Sequence, residues 1–197
     1  MDIVPNIIKY NTNDLDTNLM PIMQDSAKVH LGCGERRLPG FINVDARESS
    51  CTDLVCDMNS LPFEDNSIDL FYLCHSLEHI SMHNVQSLLQ MLNKMLKPLG
   101  RIYISVPDFS VLSSLYLSGR VPLTSIVRAI HGGQEYPGNT HFMSYDFDLL
   151  SALLMATGFS SITRYAPETF LPFGFSDTST YEIGGKQISL NVFAERK

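Results

Sequence analysis

The sequence predicts an α/β fold, a mostly parallel sheet with helices on both faces. Three observations carry this. Short apolar runs of strand length recur from residue 28 to residue 106, and segments with a helical period follow among the later ones. The run Ile68–Leu73 is apolar nearly throughout, as a strand buried on both faces requires. The first three runs lead into glycine or aspartate, at the C-terminal strand ends where sheets of this kind bind ligands.

The elements follow in order. Residues 1–25, rich in Asn and Asp and without clear periodicity, read as a lead segment or a strap across the site. A single domain over 26–197 follows. Lys28–Leu31 predicts the first strand and runs into Gly32-Cys33-Gly34. Phe41–Val44 predicts a second, ending on Asp45, and Asp53–Cys56 a third, ending on Asp57. Ile68–Leu73 is the fourth. Val85 to Leu96 is helical, with Val85, Leu88, Leu89, Leu92 and Leu96 on one face. Lys94 and Lys97 suit the negative end of that helix dipole, and Pro98 and Gly100 stop it.

Arg101–Val106 predicts a fifth strand, closed by Pro107-Asp108. Residues 109–140 break the alternation and read as an insertion over the active face. It holds helices around Val111–Leu117 and Thr124–Ile130 and a loop from Gly132 to Gly138. Asp146 to Thr157 predicts a further helix with Leu149, Leu150, Leu153 and Leu154 inward and Gly158 just past its end. Ser161–Tyr165 and Ile188–Ala194 are the last two strands, with a turn at Gly184-Gly185 before the final one.

Composition limits the function. A length of 197 residues fits one domain, and 44% hydrophobic against 18% charged residues gives a sizeable core. A net charge of −7 argues against general nucleic-acid binding, which needs Lys and Arg to neutralise phosphates. No signal peptide and no membrane span are expected. The four cysteines form no CxxC pair, so a zinc ribbon is not expected, and reduced thiols in a cytoplasmic protein are the simplest reading.

The strand-end residues point to a nucleoside. Glycines at 32 and 34 allow a sharp turn and close approach of the backbone to a ligand. Asp45, 11 positions after Gly34, is placed to accept hydrogen bonds from both ribose hydroxyls. Asp57 is placed to accept from an adenine amino group, with Met58 beside it to cover the ring. A dinucleotide fingerprint asks for a third small residue where Arg37 stands, which counts against NAD and an oxidoreductase. No GKS or GKT sequence marks a Walker loop.

These segments resemble the class I S-adenosylmethionine (SAM)-dependent methyltransferases of the type 11 group. The resemblance rests on Val29–Gly34, Leu38–Asp45, Leu61–Asp69, His75-Ser76-Leu77-Glu78-His79 and Leu96–Arg101. It is close over about residues 27–108. The Leu-Pro-Gly-Phe element with Asn43 and Asp45 is similar to a subgroup associated with surface-polysaccharide synthesis. The resemblance implies a Rossmann-like class I methyltransferase fold, a seven-stranded sheet with the last strand antiparallel. It implies SAM as cofactor, with Gly32, Cys33 and Gly34 at its methionine part, Asp45 at the ribose and Asp57 and Met58 at the adenine. The backbone near Cys74-His75 would also touch it. Many members carry a third glycine where Arg36 stands; Arg36 either meets the cofactor carboxylate or points to solvent.

Methyl transfer to an alcohol gains from a general base, most often histidine. His141, then His131, are the candidates, flanking the insertion loop, with Asp108 positioning the base or the acceptor hydroxyl; the bland alternative is that both histidines order that loop. His30 reads as structural. His75, His79 and His83 would share a face if helical, a spacing that can chelate a metal, but without a matched carboxylate set no metal is expected. Aromatics in 167–176 read mostly as core, with a few as an acceptor wall. The expected activity is O-methylation of a sugar, nucleotide-sugar or other small polar acceptor. The alternative is a non-catalytic SAM-binding or degenerate partner subunit. No Asn/Asp-Pro-Pro-Tyr/Phe element follows the fourth strand, which disfavours exocyclic-amine acceptors. The sequence leaves the oligomeric state open.

Overall fold

A computed structural model describes residues 27–136 and 138–197. The expected lead segment, 1–25, lies outside these. Strands β1 (Lys28–Leu31), β2 (Ile42–Asp45), β3 (Leu54–Val55), β4 (Ile68–Cys74), β5 (Leu96–Pro107), β6 (Phe159–Arg164) and β9 (Ser189–Arg196) form one seven-stranded sheet in the order β3-β2-β1-β4-β5-β9-β6. β9 runs antiparallel to both its neighbours, and every other pairing is parallel. This is the Rossmann-like class I methyltransferase topology. Strands β7 (Glu182–Ile183) and β8 (Lys186–Gln187) make a small separate hairpin around the Gly184-Gly185 turn.

Alternation along the strands sorts the core into two faces. Phe71, Leu73, Ile102 and Ile104 point to one face. There they meet Val85, Leu88, Leu89 and Leu92 of helix α1 (Val85–Met95), and Leu150 and Leu154 of helix α4 (Phe147–Ala156). Tyr72 and Cys74 point to the other face with Leu38, against Phe41, Tyr103, Phe170, Leu171 and Phe175. Phe170 stacks on Tyr103 with ring centroids 4.0 Å apart. The 167–176 aromatics are thus mainly cover for this face, and only Phe173 stands fully in solvent. No helix joins β1 to β2 or β2 to β3.

Helices α2 (Phe109–Leu117) and α3 (Leu123–His131) stand where the insertion was expected. They bury Leu112, Leu115, Val121 and Ile126 together with Ile188 in a satellite core. Three expectations need correction. The helix expected over 85–96 ends at Met95, and β5 begins at Leu96 and takes in Pro98 and Gly100, the residues expected to stop the helix. Leu149 is exposed, while Leu150 and Leu154 are fully buried. The Asp146 carboxylate caps the Leu149 N–H and fixes the helix phase, which turns Leu149 about 100° off the buried stripe. β6 starts at Phe159 rather than Ser161, because its register against β9 shifts between Ser160 and Thr163, where Ser161 takes φ +54°.

Candidate active site

β1 ends at Leu31 and the chain turns at once. The N–H groups of Gly32 and Cys33 both donate to the Val44 carbonyl of β2, at 2.8 and 3.1 Å. Gly32 sits at φ +70°, and a Cβ there would lie 2.5 Å from Ser76 Cβ, so only glycine fits. The Ser76 hydroxyl in turn donates to the Leu31 carbonyl at 3.1 Å. This pins the loop after β4 against the turn after β1, and between them opens a cavity of about 630 Å³.

Three carboxylates line it, besides Glu35. Asp45 Oδ2 accepts the Gly34 N–H at 2.8 Å and Oδ1 the Arg47 N–H at 2.9 Å. The Arg47 guanidinium lies 4.4 Å from the ring centre of Tyr136, which ties the insertion loop to the rim. Asp57 Oδ1 accepts the N–H and side-chain amide of Asn59, both at 2.8 Å. Asp177 joins from the far end of the chain, because the Tyr72 hydroxyl donates to its Oδ2 at 2.6 Å.

Every residue expected to hold the cofactor lines this cavity: Gly32, Cys33, Gly34, Asp45, Asp57, Met58, Cys74 and His75. Burial pushes the Cys33 thiol up to about 11 and Cys74 to about 12, so both stay uncharged. Arg36 lines the cavity too, donating to the Ser176 carbonyl at 3.3 Å. Arg37 is exposed and pairs with Asp53. His30 hydrogen-bonds Asn43 at 3.1 Å and stacks on Tyr72, consistent with a structural part.

The three acceptor-side candidates separate. His141 lines the cavity, while His131 and Asp108 do not. His131 ends α3, exposed, and its carbonyl accepts the His141 N–H. Asp108 caps α2 through the N–H groups of Ser110 and Val111, and its other oxygen accepts from Arg164 at 3.3 Å.

His75, His79 and His83 share no helical face. Only Leu77–His79 winds, as a single 3-10 turn, and His83 is exposed. His75 instead takes φ +49°, a left-handed conformation that is strained for histidine. Glu78 lies beside it, completely buried, and neither carboxylate oxygen finds a hydrogen-bond partner among the described residues. Its Oε1 lies 3.4 Å from His75 Nδ1 and 3.8 Å from His141 Nε2. Burial pushes Glu78 up to about 8. Burial, with neighbouring histidines, pulls His75 and His141 down to about 4. Sequence reasoning gave Glu78 no role. The signal was a lone acidic residue between the buried Leu77 and Ile80.

Comparison with known proteins agrees with this fold. Residues 29–104 match the family model described as a methyltransferase domain. A SAM-dependent methyltransferase from Archaeoglobus fulgidus is similar at TM-score 0.56 and 17% identity, covering 91% of this chain and 90% of that one. A SAM-dependent methyltransferase from Thermotoga maritima aligns at TM-score 0.53 and 14% identity, over 91% and 86%. Another, from Methanosarcina mazei, aligns at 0.52 and 16%, over 93% and 98%. Among curated proteins, none matches the sequence. No helix among the described residues is long and apolar enough to cross a membrane.

Proposed function

We infer, from the methyltransferase-domain match at residues 29–104 and from this fold, that the chain is a SAM-dependent methyltransferase. S-adenosylmethionine is its cofactor. The observation that supports the site most directly is the Gly34–Asp45 pairing at the end of β2, beside the glycine turn. Asp45 retains acceptor capacity for the ribose hydroxyls, Asp57 serves the adenine amino group, and the turn at Gly32–Gly34 takes the methionine part.

The acceptor is a small polar molecule, a sugar or nucleotide-sugar hydroxyl. Its oxygen attacks the sulfonium methyl in line. The O–C bond forms as the S–C bond breaks, the bonding pair stays on sulfur, and the hydroxyl proton passes to His141. Alignment supplies most of the rate. The acceptor lies against the corner of His75, His79 and His141, all three of which line the cavity. Of the histidines flanking the insertion loop, His141 is the acceptor-side residue, its free imidazole form prevailing at neutral pH.

Calorimetric titration of the full chain with S-adenosylhomocysteine tests this, beside Asp45→Ala. Micromolar binding that the substitution abolishes supports the reading and opens a screen of sugar acceptors. A folded chain that binds nothing overturns it.

A further inference from the structure

Around Glu78 the hydrogen-bond directions leave a cluster of bare lone pairs. His141 Nδ1 lies 3.0 Å from the Ala129 carbonyl, which only accepts, so the ring proton sits on Nδ1 and Nε2 is bare. The same holds for His79, whose Nδ1 meets the Thr140 carbonyl at 3.1 Å. The Ser189 hydroxyl spends its proton on the Thr178 carbonyl at 2.6 Å, so His75 Nε2 donates to Ser189 at 2.8 Å and His75 Nδ1 is bare. All three imidazoles therefore donate outward. His75 Nδ1 and His141 Nε2 turn their lone pairs on a carboxylate that has no donor of its own. Burying a carboxylate without a compensating partner is costly. Facing it with lone pairs adds repulsion.

A cation removes both costs. One ligand atom from each of Glu78, His79 and His141 lies within 4.8 Å of the others. Ligands bound about 2.1 Å from one ion sit about 3 to 3.5 Å apart, so a small inward movement completes the set. We propose that Glu78, His79 and His141 bind a divalent transition-metal ion of the zinc or iron(II) class, with His75 beside the Glu78 carboxylate. Imidazole nitrogens with a single carboxylate suit these ions rather than magnesium or calcium. The outward hydrogen bonds to Ala129 and Thr140 are the outer contacts that orient ligating histidines.

The site is assembled from distant parts of the chain. His75, Glu78 and His79 follow β4. His141 arrives from the far end of the insertion loop, held where the Glu78 carbonyl accepts the N–H groups of Phe142 and Met143 at 2.8 and 3.2 Å. The three histidines also line the cavity. Resting on the methyltransferase reading, the ion would bind the acceptor oxygen and make its proton easier to lose. His141 then acts on the acceptor through the ion rather than as a base.

The test uses the full chain, stripped with a chelator, dialysed, and titrated with Zn²⁺ by calorimetry and with Co²⁺ by its visible absorption. The expected result is one ion per chain, with the Co²⁺ spectrum of nitrogen and oxygen ligands. Glu78→Gln and His141→Ala should each weaken binding by about 100-fold or more, since outer-sphere changes alone cost ~10–100-fold. His83→Ala, an exposed histidine outside the cluster, should bind as the parent does. Circular dichroism checks folding; if one variant fails to fold, the other decides.

No binding by the folded parent, or binding that both variants retain, overturns the proposal. It would leave Glu78 as a protonated acid in a neutral network. S-adenosylhomocysteine titrated into the same stripped sample separates the two readings. Cofactor binding without metal binding keeps the methyltransferase and removes the metal. Metal binding without cofactor binding does the reverse.

Discussion

The backbone N–H of Gly34 and the carboxylate of Asp45 meet at 2.8 Å, so the turn after β1 and the tip of β2 hold one another in place. Asp45→Ala removes this brace along with the carboxylate proposed to accept from the ribose hydroxyls. Hydrogen bonds to a charged group contribute about 1.5–3 kcal/mol each. S-adenosylhomocysteine affinity should fall by more than ~10-fold, a value calorimetry reads directly. Unchanged affinity would place the cofactor elsewhere.

Gly32→Ala combines two penalties: a left-handed φ of +70° and a Cβ 2.5 Å from Ser76 Cβ. The backbone term alone is about 1–2 kcal/mol. Urea melts should show a loss of at least that size. Adding Ser76→Gly should restore the part that comes from the contact and leave the backbone part. A double variant no more stable than the single one would show that Ser76 is not the obstacle.

Asp108→Ala should behave as a stability variant. It strips the cap from α2, at a cost of about 1 kcal/mol, and frees Arg164. Asp108 does not line the cavity, so cofactor affinity should stay at the parent value. A drop in affinity with an unchanged melting temperature would reverse this assignment.

The metal-free protein should be most stable near pH 6.5. His75 and His141 hold folded pKa values of about 4, below the ordinary 6.5, so the unfolded chain binds more protons than the folded one between these limits. Their contribution is complete above pH 6.5 and lost as pH falls through 4. Glu78 is the opposite case. Its folded value of about 8 lies above the ordinary 4.5, so its contribution is complete below pH 4.5 and lost as pH rises through 8. His75, His79, His141 and Tyr145 face it, and Tyr145 is itself raised by burial and then by Glu78. Burial lowers His30 and His79 as well, so the rising slopes of the histidines outweigh the falling slope of Glu78 and leave a maximum where the histidines finish. Urea midpoints across pH 4–9, with chelator present, should decline from about pH 6.5 to 8, and Glu78→Gln should flatten that decline.

That the residues proposed for the cofactor would line one cavity was legible because their signals are local. Gly32 and Gly34 follow β1, Asp45 ends β2 and Asp57 lies just past β3, and strand ends can be read from short apolar runs. The acceptor corner was not. Glu78 and His141 lie far apart in sequence and meet only because the Glu78 carbonyl accepts two N–H groups from the segment after the insertion loop. Asp177 reaches the cavity through the hydroxyl of Tyr72, a pairing across 105 positions that no period reveals. The histidine spacing at 75, 79 and 83 suggested a helical face. A single 3-10 turn formed instead, and the histidine that approaches Glu78 with His75 is His141, from beyond the insertion loop.

The bare connection between β1 and β2 has an electrical consequence. A pyrophosphate is ordinarily received by the positive end of a helix that begins just past the glycine turn. Here no α-helix follows Gly34 before α1 at Val85, and the turn is tied to the Val44 carbonyl. The cavity walls carry Glu35, Asp45, Asp57 and Asp177 against Arg36 and Arg47. A cofactor diphosphate beside these carboxylates would be repelled, and a nucleoside whose reactive centre is a sulfonium cation attracted. Discrimination between the two cofactor classes therefore begins with the sign of the potential, before any contact is made.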